Sequence, residues 1–287
     1  MTIAIFGATG HLGGLVIDHL IARGADPGDI LALGRNEERL AGLAARGLRT
    51  ARVDLADPAE LPAALAGVQK VLLISASDPG ARVAQHRAVI DAAAEAGVGH
   101  LAYTSILQAP TSPLGLAVDH RATEDLIAAS GIPATLLRNG WYTENYTDQL
   151  MGYLNSGVIL GAAGEGRISA ATRADFAEAA VAVLLDEQVA GGTIYELGGD
   201  KPFTLGQLAG ALGAATGQEV TYRDLDPQTL AGIYEQSGIP KVYAEILVDT
   251  DVRIRDGALE VHGSDLARLI GRAPTSLGKA IKQALDS

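Results

Sequence analysis

The chain has 287 residues, 48% of them apolar, and a mean hydropathy of +0.18. That is enough for a sizeable buried core and rules out intrinsic disorder. Twenty-two Lys and Arg stand against 34 Asp and Glu, a formal charge of −12 that repels a polyanion, so no nucleic-acid partner is expected. Without a single cysteine, disulfides, thiolate metal sites, thiol nucleophiles and iron–sulfur clusters all drop out together.

At this length one large unit, or a core with a smaller lobe, is expected. With 3 Phe, 8 Tyr and 1 Trp, the core must be built from closely packed aliphatic layers. Met1-Thr2 runs directly into the apolar segment Ile3–Phe6, leaving no room for a basic leader. The most apolar stretches, around Val71–Ile74 and Ala179–Leu185, are too short to cross a bilayer. A cytoplasmic protein without membrane insertion is the expectation.

The first half alternates β-rich runs with helical patterns. Ile3–Phe6, Ile30–Leu33, Thr50–Val53, Val71–Ile74, Leu101–Thr104 and Thr135–Leu137 are continuous apolar or β-branched segments, as strands buried on both faces read. After the first, Leu12, Val16, Ile17, Leu20 and Ile21 follow helical spacing and Gly24 suits the stop. Asp57-Pro58-Ala59-Glu60 predicts a capped helix start. Val83, Arg87, Ile90 and Ala94 mark a crossover helix that ends at Gly97. This alternation predicts right-handed βαβ units and an α/β fold with a Rossmann-like, doubly wound parallel sheet.

Beyond about residue 140 the rhythm changes. Gly157–Gly161 and Arg167–Ala170 are short segments broken by glycines, Ala174–Leu185 reads as a helix and Thr193–Leu197 as one more strand. Thr204-Leu205-Gly206-Gln207 is a capping-box pattern, Asp226-Pro227 starts another helix, and Thr275–Leu285 is helical. The expected organisation is a Rossmann domain over residues 1–150, with strand and helix contributions from about 165–200, and a small, mainly helical C-terminal lobe over 151–287.

The strongest chemical signal is Gly7-Ala8-Thr9-Gly10-His11-Leu12-Gly13, directly after the first strand and opening the first helix. Glycines there allow a tight turn, close approach of a pyrophosphate to the backbone, and close packing of helix on strand. The phosphates then meet free N–H groups at the positive helix end. At the end of the second strand, Arg35 stands where an acidic residue would bond the ribose of NAD. Its cationic fork suits a 2′-phosphate, which favours NADPH, although an exposed arginine beginning a helix reads the same way. Asp54 fits an adenine contact or a turn cap. Ser75-Ala76-Ser77 follows the fourth strand at the edge where ligands bind, and a plain loop fits it nearly as well.

The fifth strand ends at Tyr103-Thr104-Ser105, and the sixth runs into Gly140-Trp141-Tyr142-Thr143-Glu144-Asn145. This aromatic cluster suits the wall of a nicotinamide site and a stacking surface for a flat substrate, or a plug between sheet and lobe. No tyrosine is followed by lysine four positions later, so the usual short-chain dehydrogenase acid/base pair is absent. The histidines at 11, 19, 86, 100, 120 and 262 have no metal-ligand spacing, and no metal site is expected.

Taken together, these residues resemble the NmrA-like group of atypical short-chain dehydrogenase/reductases, and within it the bacterial NADPH-dependent quinone oxidoreductases of type 2. The resemblance covers nearly the whole chain. It rests on Gly7–Gly14, Leu72–Ser77, Tyr103-Thr104-Ser105, Thr111–Leu116, Leu136–Asn145, Gly161–Gly164 and Ala171–Asp175. It implies hydride transfer from NADPH to a quinone that enters a cleft between domain and lobe, with a homodimer as the assembly. Cofactor contacts would carry over to Gly7–Leu12, Arg35, Ser75–Ser77, Gly140–Asn145 and Arg173. Related reductases carry a lysine four residues before the glutamate that matches Glu124; here that position is His120, which departs from lysine-type proton donation. Candidate proton donors are then His120, Tyr103 and Tyr142, or water, with an orienting hydrogen bond from Asn145. The wider group also implies two rivals, an NADP(H)-sensing regulator without turnover and a reductase of phenolic double bonds.

Overall fold

The apolar runs of the first half become strands, and the helical patterns between them become helices. In chain order the elements begin β1 (Ile3–Phe6), α1 (His11–Ala22), β2 (Ile30–Gly34), α2 (Glu37–Ala45), β3 (Arg49–Arg52) and α3 (Leu61–Ala64). They continue with β4 (Lys70–Leu73), α4 (Arg82–Glu95), β5 (His100–Ile106), α5 (Ala117–Ser130) and β6 (Ala134–Asn139). The second half contributes α6 (Glu144–Thr147), α7 (Leu150–Ser156), β7 (Val158–Gly161), α8 (Arg173–Leu185), β8 (Thr193–Leu197) and α9 (Leu205–Thr216). Then follow β9 (Thr221–Asp224), α10 (Pro227–Gln236), α11 (Lys241–Arg255), α12 (Leu266–Ile270) and α13 (Leu277–Leu285). This computed structural model describes residues 1–76, 78, 80–188, 190–263 and 265–286.

Two units can be separated. The first comprises Met1–Ala109, Asp119–Asn139 and Arg173–Leu197; the second comprises Pro110–Val118, Gly140–Thr172 and Gly198–Ser287. In the first, seven strands form one sheet in the order β3-β2-β1-β4-β5-β6-β8, with every neighbouring pair parallel. The order reverses between β1 and β4, and in such sheets ligands bind beyond the carboxyl ends of the strands at that switch point. β1, β2 and β5 are buried at every position because helices cover both faces. The core is aliphatic as composition demands, with Leu33, Leu73, Val89 and Leu101 around the wholly buried Phe6 and Tyr103. Helix α1 buries Leu12, Val16, Ile17 and Leu20, and packs on the alanine-rich α8.

The second unit is mainly helical. Its β7 and β9 pair in parallel as a separate two-stranded sheet, and Ala162, Leu230 and Val248 form a small core with Leu160, Leu225 and Tyr234. The capping box at Thr204 is present in both directions, and Asp226 caps α10 through the Gln228 and Thr229 amides.

One expectation changes. Asp57 makes no side-chain cap, and Pro58–Glu60 is a single 3-10 turn followed by the four-residue α3. Pro62 is the reason: it has no N–H for the Pro58 carbonyl, so a continuous α-ladder cannot start there. The short segment Arg167–Ala170 contributes one isolated antiparallel bridge, Ile168 to Phe203. No described helix is long and apolar enough to cross a membrane.

Candidate active site

In the first unit a groove of about 370 Å³ opens at the switch point, lined by the β1–α1 turn, the end of β2, the segment after β3 and the loop after β4. Gly7 holds φ at +83°, which a side chain would strain. Gly13 has no room for one, since a Cβ there would lie 2.3 Å from the Gly7 carbonyl oxygen and 2.7 Å from Ala8 Cα. Helix α1 therefore sits directly on the turn, and its N-cap Gly10 leaves the first-turn amides without a side-chain acceptor. Gly7, Thr9 and Gly10 line the groove, while Ala8 and Leu12 are buried behind it and His11 is exposed at the helix start.

Two guanidiniums flank this turn. Arg35 is largely exposed and lies 3.6 Å from Asp78; Arg39, four residues on, donates to the Thr9 carbonyl at 2.6 Å. Both line the groove together with Asn36, whose side chain caps α2 through the Arg39 amide. Asp54 also lines it, and its carboxylate caps its own turn at the Ala56 amide, 3.0 Å away. A glycine cradle, uncapped helix amides and a cationic pair form a donor set that fits a dinucleotide carrying an extra phosphate.

The loop after β4 is tightly held. The Ser75 amide donates to Thr104 Oγ1 at 2.9 Å. The Ala76 amide donates to His86 Nε2 at 2.9 Å, and its carbonyl accepts from Arg82 Nε at 2.6 Å. These bonds set the His86 tautomer: with Nε2 accepting, Nδ1–H donates to Thr123 Oγ1, which donates in turn to the Asp119 carbonyl. Burial first, and then the Arg82 charge, pushes the His86 imidazole down to about 4. Ser75 and Ala76 line the groove; Ser77 lies outside the described residues.

His86 carries a stability prediction. Below the ordinary histidine value the unfolded chain binds a proton here and the folded chain does not, so stability falls as pH drops from about 6.5 toward 4. His86→Gln is expected to flatten that fall by about 1.4 kcal/mol per pH unit. Urea melts between about pH 6 and 4.5 check it; an unchanged slope sinks it.

Tyr103 and His120 meet inside the first unit. Tyr103 is wholly buried, its hydroxyl 2.8 Å from His120 Nδ1. Burial raises the phenol and pushes the imidazole down to about 3, helped by the Arg82 and His86 charges. The His120 imidazole is thus held neutral near pH 7. Arg173 opens α8.

The aromatic block lies in the second unit. Ala171 ties it down from both sides, since the Thr143 amide donates to the Ala171 carbonyl at 2.9 Å and the Ala171 amide donates to the Trp141 carbonyl at 3.1 Å. Thr143 is thereby buried and Tyr142 pairs with Ala171, while Trp141, Glu144 and Asn145 line a groove of about 860 Å³. Its wall includes Tyr146, Tyr153, Tyr234 and Asp251. Gly140 joins this block to β6.

Sequence reasoning missed Arg39, Arg82, His86, Thr123 and Asp251, and quoted Thr104 at the end of the fifth strand without a role. Arg39 was findable as a second arginine four positions after Arg35, in the first turn of the helix that follows it. The others act across 4 to 89 positions of chain, with no repeating spacing to mark them.

A family model described as the NmrA-like family matches residues 1–266. Quinone oxidoreductase 2 of Escherichia coli is 46% identical over 284 residues, covering 99% of each chain. An NADPH-dependent quinone oxidoreductase of Escherichia coli, solved in complex with NADPH, matches with a TM-score of 0.95 at 45% identity over 99% of this chain and 100% of that one. The triphenylmethane reductase of a Citrobacter species, solved with NADP(H), matches at 0.94 and 36% identity, covering 99% and 100%.

Proposed function

We propose, for a chain that belongs to the NmrA-like family, the work of an NADPH-dependent reductase that passes hydride directly to a quinone. The observation that carries this reading is the end-to-end likeness to a quinone oxidoreductase solved with NADPH, in a chain that has a glycine cradle and paired arginines of its own.

Gly7–Gly10 and the amides opening α1 hold the pyrophosphate. Arg35 and Arg39 hold the 2′-phosphate, beside the turn closed by Asp54. Ser75 and Ala76 present backbone to the ribose, positioned by Thr104, His86 and Arg82. The segment Gly140–Asn145 and Arg173 serve the nicotinamide end, with Asn145 orienting the quinone. When bound, NADPH supplies hydride that a quinone, itself a strong acceptor, takes without flavin or metal. The protein supplies orientation and exclusion of water. We place the enzyme in the cytoplasm, as a homodimer, with no nucleic-acid or membrane partner.

Mixing the protein with NADPH and a benzoquinone should bleach the nicotinamide absorbance. NADPH binding without bleaching across several quinones would replace this reading with a sensor of the NADP(H) pool. Arg35→Asp is expected to raise the NADPH KM about 10- to 100-fold, the worth of a charge-assisted contact of about 1.5–3 kcal/mol, and to improve the use of NADH. An unchanged NADPH/NADH ratio would remove Arg35 from the site.

A further inference from the structure

Within the second unit, Asp251 on α11 projects into the aromatic groove that also contains Trp141 and Asn145. Its Oδ2 accepts the Ala162 amide at 2.8 Å. Strand β7 makes room for the carboxyl because residue 161 is glycine; a Cβ there would lie 2.9 Å from Oδ2 and 2.8 Å from Leu205 Cδ1. The other oxygen, Oδ1, receives no hydrogen bond from the described residues and is not sealed in, so it is the one presented to the groove.

We propose that Asp251 is the catalytic proton donor to the bound quinone, delivering its proton to the oxygen left as a phenolate when hydride is accepted. This rests on the quinone-reductase reading above. In the step the Oδ1–H bond of Asp251 breaks and an O–H bond forms on that oxygen. The electron pair on the substrate is the one received with the hydride, and the carboxylate regains its proton from water.

The surroundings select this residue. Tyr146 on α6, Tyr153 on α7 and Tyr234 on α10 face the carboxyl; burial raises all three phenols, Tyr234 to about 12. Glu144 and Asp148 line the same groove, Asp224 on β9 adds negative charge, and Arg255 lies one turn along α11. Burial lifts Asp251 to about 6, with Asp224 adding to the rise and the Ala162 amide and Arg255 opposing it. It is thus a carboxyl that can be charged with a proton near neutral pH, and it lies well below a phenol, so transfer to a phenolate runs downhill.

Asp251→Asn keeps the shape and the acceptor for the Ala162 amide. With benzoquinone it is expected to lower kcat on the order of a hundredfold, leave NADPH binding unchanged and abolish the solvent deuterium isotope effect on kcat. A second readout needs no cofactor. The chain's single tryptophan lines the groove, so quenching of Trp141 fluorescence reports binding of 1,4-naphthoquinone. In the wild type this binding should weaken as pH rises through about 6, where the carboxyl stops donating a hydrogen bond to the quinone carbonyl. In Asp251→Asn it should be independent of pH. Should that variant not fold, Gly161→Ala crowds the same carboxyl and should lower kcat without affecting NADPH binding. Wild-type kcat with an intact isotope effect in either folded variant overturns the role of Asp251 alone; a wild type inert toward every quinone overturns the reading beneath it.

Discussion

Gly13→Ala is expected to destabilise the fold by about 3 kcal/mol or more and to abolish measurable NADPH binding. The added methyl would lie 2.3 Å from the Gly7 carbonyl oxygen and 2.7 Å from Ala8 Cα. Both are backbone atoms, so no rotamer change relieves the overlap; α1 must lift off β1. Overpacking a core by a methyl or two costs about 1–3 kcal/mol when side chains can adjust, and here they cannot. The same displacement moves the helix-opening amides away from the phosphate position. Urea unfolding and an NADPH titration check both effects. Near-wild-type values in both would mean that the helix does not need this approach.

Arg138→Met is expected to cost about 3–5 kcal/mol, because it strips the partner from a carboxylate held in a nearly buried pair. Arg138 reaches Glu124 through Nε at 3.0 Å and Nη2 at 2.6 Å, and Glu196 through Nη1 at 2.9 Å. Only about a tenth of the Arg138 and Glu124 side chains is exposed. Ser105 Oγ donates to Glu124 at 2.5 Å, and Glu196 accepts the Gln108 amide at 2.7 Å, so one guanidinium joins the ends of β5, β6 and β8. Adding Glu124→Gln to the variant should recover part of the loss. Equal stability of single variant and wild type in urea would show that the network contributes nothing.

How far the sequence could be read depended on how local the cause was. β1 and β8 fall where apolar runs said, and Gly24 ends α1 with φ +88°. The glycine turn was legible because its spacing is itself the geometry. Pro62 marks the failure of the Asp57 cap in the sequence itself, being four positions from Pro58, where its missing N–H breaks the ladder. The pairing of β7 with β9 was illegible, since 60-odd residues separate two short strands that alternate weakly. The surroundings of His120 were illegible for the same reason: the burial that lowers it, and then Arg82 and His86, come from stretches of chain that meet it only in space.

The seven-stranded sheet is drawn from three separated stretches of chain, with its last strand and the helix beneath α1 arriving after residue 172. No single cut releases it whole. A ribosome that has made the turn between β1 and α1 has not yet made the edge strand β8 or the helix α8 that covers α1. That helix lacks the α8 face it packs on until Arg173–Leu185 has been made, so the turn before it is fully covered only after six of the seven strands exist.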